Sequence, residues 1–172
     1  TALPRQQTLR ALIDWSWELL SEPEQMLLQR LSVFSGGMSL EAVEAVCADD
    51  SLDVFDILDL LAELVNKSLV IARREQGKET RYQLLETVRQ YSQEKLADAN
   101  HSETYRQRHL DYYLQLCKKA EPELIGPNQI VWMDQLELEL GNLRAALGWA
   151  DETNVEAGLK IILYTHPFLH AR

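Results

Sequence analysis

Four sets of residues in this chain have types and spacings that could do chemistry. His166 and His170 are four apart, the spacing at which two imidazoles share a helix face and can ligate zinc. Pro167 follows the first, no Glu sits beside it and no third ligand is evident, so no metal site is expected. Asp49, Asp50, Asp53 and Asp56 offer carboxylate oxygens to calcium, but the alternation and the glycine of a calcium loop are missing. They read better as acids at a helix N-terminus, where the dipole favours them. Gly36-Gly37 lies between two helical patterns without the Lys-Ser/Thr that completes a phosphate loop. The fourth set is Arg73, Arg74, Lys78 and Arg81, a basic cluster offset by Glu75 and Glu79. It could touch a phosphate on a nucleotide or a nucleic acid, although a solvated hairpin tip is the commoner fate of such residues.

Other single residues read as packing. His109 falls in an aromatic stripe and suits a hydrogen-bonded core histidine, and the tryptophans suit a core better than a cofactor pocket. No catalytic residue, metal or cofactor is expected within the chain.

Composition narrows the classes. The chain has 172 residues, 46% hydrophobic and 26% charged, as ordinary globular proteins do. Its net charge of −10 argues against general affinity for nucleic acid or anionic membranes. No apolar run approaches the roughly 20 residues of a membrane helix. A polar start without Met, and an end inside an apolar helical pattern, both read as cuts in a longer protein. Two isolated cysteines, Cys47 and Cys117, make no disulfide framework, so a reducing cytoplasm is expected.

The elements that must position these residues follow from periodicity. A first helix runs from about Thr8 to Leu20 with Leu9, Leu12, Ile13, Trp17 and Leu20 on one face. Ser21-Glu22-Pro23-Glu24 is a capping box that opens a second helix. That helix buries Leu27, Leu28, Leu31 and Phe34 and ends at Gly36-Gly37. Ser39 caps a third helix, and a fourth runs from about Leu52 to Asn66 with Val54, Ile57, Leu58, Leu61 and Val65 inward. Ser68 to Ala72 and Thr80 to Leu84 then read as paired strands around a polar loop with Gly77. Helices followed at once by a hairpin are the winged-helix arrangement. Helices follow from Leu85, His101 and Asn154, and a long one carries Met133, Leu136, Leu140, Leu143, Leu147 and Ala150 as a heptad seam that needs a partner. The expected fold is therefore mainly α: a winged-helix domain over residues 1–100 and tetratricopeptide-like antiparallel helices over 101–172.

Charge placement bears on nucleic acid. A winged helix that reads DNA puts the helix before its wing into the major groove. Here that helix carries Asp53, Asp56, Asp59 and Glu63, with no Lys or Arg before Lys67. Residues 1–66 hold Arg5, Arg10 and Arg30 against twelve Asp or Glu. Phosphates near such a face meet repulsion in place of counterion release, so DNA binding by this module is not expected.

Several stretches, taken in order, carry a resemblance. They are Leu3-Pro4-Arg5-Gln6-Gln7-Thr8-Leu9-Arg10-Ala11-Leu12-Ile13-Asp14-Trp15-Ser16-Trp17, Arg30-Leu31-Ser32-Val33-Phe34-Ser35-Gly36-Gly37, Leu61 to Val70, and Tyr82 to Tyr91. With Leu124 to Pro127 and Gly141 to Ala150, they resemble the segment after the ATPase core in bacterial signal-transduction ATPases with numerous domains. These are NB-ARC-like regulators of the LuxR and antibiotic-regulator types. The resemblance implies a non-catalytic fragment whose winged helix packs on an upstream ATPase domain and controls its ADP/ATP switch. It also implies downstream helical repeats and self-association of the parent. The family's Met-His-Asp nucleotide sensor falls on Leu84, Leu85 and Glu86, and a leucine cannot donate a hydrogen bond to a phosphate. Two other functions compete: a DNA-binding winged-helix regulator, and a helical scaffold for a protein partner.

Overall fold

The computed structural model describes residues 4–74 and 79–170, with side chains from residue 7 onward. Its elements fall into two compact units: Thr1–Ser32 with Ser39–Ser102, and Val33–Met38 with Glu103–Arg172.

The first unit opens with α1 (Pro4–Glu18), which starts at Pro4, not near Thr8. Only Ile13 of the expected apolar face is buried within α1, with Leu20 buried just beyond it, whereas Leu9, Leu12 and Trp15 stay exposed. The reason is that α1 packs along one line on α5 (Glu86–Asp98), where Trp17 meets Tyr91 edge-to-face at 5.8 Å. Tyr91 also donates its hydroxyl to Asp14 at 2.7 Å. The capping box at Ser21 and Glu24 opens α2 (Glu22–Leu31), as its sequence predicts. However, α2 ends at Ser32, and Gly36, with φ +95°, lies in the extended segment beyond it.

Ser39 caps α3 (Leu40–Cys47) by accepting the Ala42 amide at 3.1 Å. The expected fourth helix is split. Asp53 accepts the Phe55 amide and closes a 3-10 turn, Val54–Asp56, before α4 (Ile57–Asn66) begins. That turn rotates the helix from the expected register. Ile57, Leu61 and Leu64 are inside, while Val54 and Leu58 face out. These three join Leu27, Leu28 and Leu31 of α2 and Val43 and Val46 of α3 in the core, each burial worth on the order of 1.5–3 kcal/mol.

Strands β1 (Gly37–Ser39), β2 (Val70–Arg73) and β3 (Arg81–Leu84) form a small sheet in the order β1-β3-β2. The hairpin pair β2–β3 is antiparallel, with Val70 opposite Leu84 and Arg73 opposite Arg81. Helices α1 to α5 with the β2–β3 hairpin make the winged-helix arrangement, and the sheet has one strand more than the expected hairpin.

The second unit contains α6 (Ser102–Glu123), α7 (Gln129–Leu138), α8 (Leu140–Thr153) and α9 (Val155–His170). The single long helix expected across Met133 to Ala150 is broken at Glu139, which ends α7 and precedes α8. Half of its seam finds full cover inside the chain: Leu136, Leu143 and Ala150 are buried while Met133, Leu140 and Leu147 are half-buried, and α8 packs along α9. His109 and Tyr113 of α6 lie in this core, as the aromatic stripe predicts.

Candidate nucleic-acid interface

The helix before the wing is positioned by α2, and β2 of the wing packs on that helix. At its C-terminal end, Arg30 is only 4% exposed and reaches past α3. Its guanidinium donates to the Cys47 carbonyl at 2.6 Å, to Asp49 at 3.0 Å and to the Ser51 hydroxyl at 2.6 Å. Asp49 in turn accepts the Ser51 amide at 2.9 Å. The loop that feeds the 3-10 turn is therefore tied down by a planar cation with several donors. At the other end of α4, Lys67 forms an ion pair with buried Glu24. Burial opposes ionisation of Glu24, but hydrogen bonds from Lys67 and from Ser21 outweigh it and hold the carboxyl below its usual range. Both ends of α4 are thus fastened to α2 by one cation each.

This fastening decides what α4 shows to solvent. Phe55 is 88% exposed and Leu58 50%, amid exposed Asp53, Asp56, Asp59 and Glu63. The outer face is apolar and acidic. Among the acids considered for calcium, Asp49 is committed to Arg30 and Ser51, and Asp53 to its turn. Among the described residues, no group of three or more His, Cys, Asp or Glu could hold a metal ion. His166 and His170 stand exposed on α9, ring to ring at 4.2 Å, and among the described residues no third ligand joins them.

On the wing, alternation sends Val70, Tyr82 and Leu84 inward, and Ile71, Arg73, Arg81 and Gln83 to the opposite face. Arg73 and Arg81 are direct cross-strand partners, so both side chains leave the same face of the hairpin. Arg74, just past β2, is exposed; Lys78 lies outside the described residues.

The three positions matched to a nucleotide sensor separate. Leu84 points into the core, Leu85 is the half-exposed N-cap of α5, and Glu86 begins that helix. Glu86 accepts from Arg89 at 2.8 and 2.9 Å and from Gln90 at 3.0 Å. The Arg89 hydrogen bond holds its carboxyl below the usual range. These residues shape the start of α5 and do not converge on a common point. Sequence reasoning missed Arg30 and Lys67 as the anchors of α4. The signal for Arg30 was its isolation, as a lone cation in an apolar helix face.

Residues 20–97 match the family model of the winged helix-turn-helix domain. The chain is 49% identical over 151 residues to the "Putative HTH-type transcriptional regulator Rv0890c" of Mycobacterium tuberculosis H37Rv, covering 88% of this chain and 17% of that protein. The corresponding "Putative HTH-type transcriptional regulator Mb0914c" of Mycobacterium bovis matches to the same extent. The "Uncharacterized protein Rv0894" of Mycobacterium tuberculosis is 37% identical over 131 residues, covering 76% of this chain and 30% of that protein. No solved structure matches the chain.

These matches overturn the expectation that DNA binding is not a property of this module. The expectation set the acidic helix above the basic cluster of the wing, which it read as a solvated hairpin tip. Among the described residues, no helix is long and apolar enough to cross a membrane.

Proposed function

We propose that this chain is the winged-helix portion of a longer transcription regulator and meets DNA through its wing. The observation that carries this reading is the cross-strand pair Arg73–Arg81 with exposed Arg74 beside it. Such a cluster suits backbone phosphates, which position a protein without reading sequence. The acidic α4 stays out of the groove. Binding through three cations is salt-dependent, with log K falling against log salt at a slope of about −2 to −3. Fluorescence anisotropy with a mixed-sequence duplex at low salt tests it. Micromolar binding that R73Q/R74Q/R81Q abolishes is the expected result; binding indifferent to that triple change, or none at all, overturns it.

The exposed Phe55 and Leu58 among carboxylates favour a second, protein-facing reading. In it the winged helix packs on an ATPase core elsewhere in the same protein and controls its nucleotide-dependent switch. ATP and ADP then belong to that core, and this chain performs no catalysis itself. Measurable ATP turnover by the pure chain would sink this reading.

A further inference from the structure

The outer face of α4 and of the turn before it is apolar at its centre. Phe55 is 88% exposed, and Val54 and Leu58 are exposed beside it. Asp53 accepts the Phe55 amide at 3.0 Å, so the backbone that carries the ring is held in place. Apolar side chains gathered on a surface in this way mark a place that meets a partner. Asp56, Asp59 and Glu63 flank them at spacings of three and four, which sets like charges next to one another along the helix. Among the described residues, none of these three carboxylates forms an ion pair.

A ring among carboxylates has the chemistry of an arginine receptor. A guanidinium stacks flat on an aromatic face and donates from its edge, in a fork, to a carboxylate. An anionic partner meets repulsion there, and a purely apolar one strips water from the carboxylates and returns no hydrogen bond. The chain itself carries the matching surface. Arg73 and Arg74 are exposed on the wing, and Ile71 leaves the same face of the hairpin as Arg73. Within one copy the two surfaces do not join: no ion pair links Arg73 or Arg74 to Asp56, Asp59 or Glu63 among the described residues.

We propose that the Phe55 face of α4 takes the wing of a second copy of this chain, with Arg73 and Arg74 laid on the ring and paired with the carboxylates around it. A contact built on two arginines and three apolar side chains is small, so the association is weak and transient. The net charge of −10 on each copy opposes it at long range. At about 0.15 M salt the Debye length is about 8 Å, which screens that repulsion and leaves pairs in contact attractive. The consequence for DNA rests on the proposed function: a wing held by a second copy cannot hold phosphates at the same time, so self-association and DNA binding exclude one another.

Sedimentation equilibrium of the whole chain without DNA, at about 0.15 M salt and up to about 1 mM, tests this. The wild type should associate. R73Q/R74Q and D56N/D59N should each weaken association about tenfold, since either change removes two exposed charge pairs. Each variant keeps the surface that the other lacks, so an equimolar mixture should associate as tightly as the wild type. F55A leaves every charge in place and should also weaken association, by about tenfold. A wild type that stays monomeric overturns the proposal, and so does a mixture no tighter than either variant alone. Association that survives all three changes would run through another apolar face, such as Leu12 and Trp15 of α1, and overturns it too. No DNA is present, so failure here leaves the proposed function standing.

Discussion

The helix α4 and the wing sit next to one another in sequence and are built on opposite plans. Helix α4 is fastened at both ends, by Arg30 acting on the preceding loop and by Lys67 on Glu24, and turns an acidic, apolar face outward. The wing is a four-pair hairpin whose outer face carries paired arginines. Cations thus serve the helix as internal ties and serve the wing as surface charge. A sum of charges over the domain hides this division. The net charge describes the helix and misdescribes the wing.

The comparison breaks most forcefully at Arg30. Removing the buried Arg30 guanidinium leaves the Cys47 carbonyl without that donor and costs about 3 kcal/mol, the upper end for a lost charge-assisted hydrogen bond. R30A should lower the urea midpoint of the first unit accordingly. Protection of α4 amides should fall further than that of β2 and β3. A loss below about 1 kcal/mol, the range of an ordinary surface pair, would mean that α4 is held by its leucines alone.

Much of this was legible beforehand, and the failures share a cause. The capping box at Ser21, the cap at Ser39 and the hairpin strands follow local rules and stand where the sequence puts them. Leu58 was placed inward because a period of 3.6 allows two adjacent faces, and only the 3-10 turn closed by Asp53 selects between them. The break at Glu139 and the burial of Asn142 depend on partners more than twenty residues away, Tyr113 and Ser35 among them, which no periodicity encodes. Leu9 and Leu12 of α1 show the converse: a helical stripe reports what could be buried, and α5 covers only part of it. For the site, residue types identified the wing cluster, but only the register shows Arg73 facing Arg81.

A smaller effect sharpens the comparison at Lys67. K67M removes the cation from buried Glu24 and should cost about 1–3 kcal/mol at neutral pH. The sign with pH follows from the lowered carboxyl. Glu24 is more acidic folded than unfolded, so its contribution is present above the ordinary carboxylate range and is lost as pH falls through the lowered value. In K67M only the Ser21 hydrogen bonds still oppose burial, so the part of that contribution owed to Lys67 is already gone. The gap between wild type and K67M should therefore narrow on acidification below about pH 4, followed by thermal unfolding. A gap that widens there would assign the stabilisation to packing of the lysine stem.

The smallest effect measures how far α4 stands from DNA. Asp56→Asn, Asp59→Asn and Glu63→Gln change exposed carboxylates and leave Asp53, which caps the turn, in place. Stability should stay within about 0.5 kcal/mol, as for most surface substitutions. Charges in water act over a Debye length of about 10 Å at 0.1 M salt. If the wing alone touches phosphates, these carboxylates act on the duplex only through screening solvent, and the triple variant should bind it only a few-fold tighter. That gain should disappear as salt rises. A gain of a hundredfold or more would place α4 in the groove, where each carboxylate had opposed a phosphate directly, and the division between helix and wing would fail. Weaker binding would mean that the carboxylates themselves accept hydrogen bonds from base edges, as Asp and Glu can from cytosine.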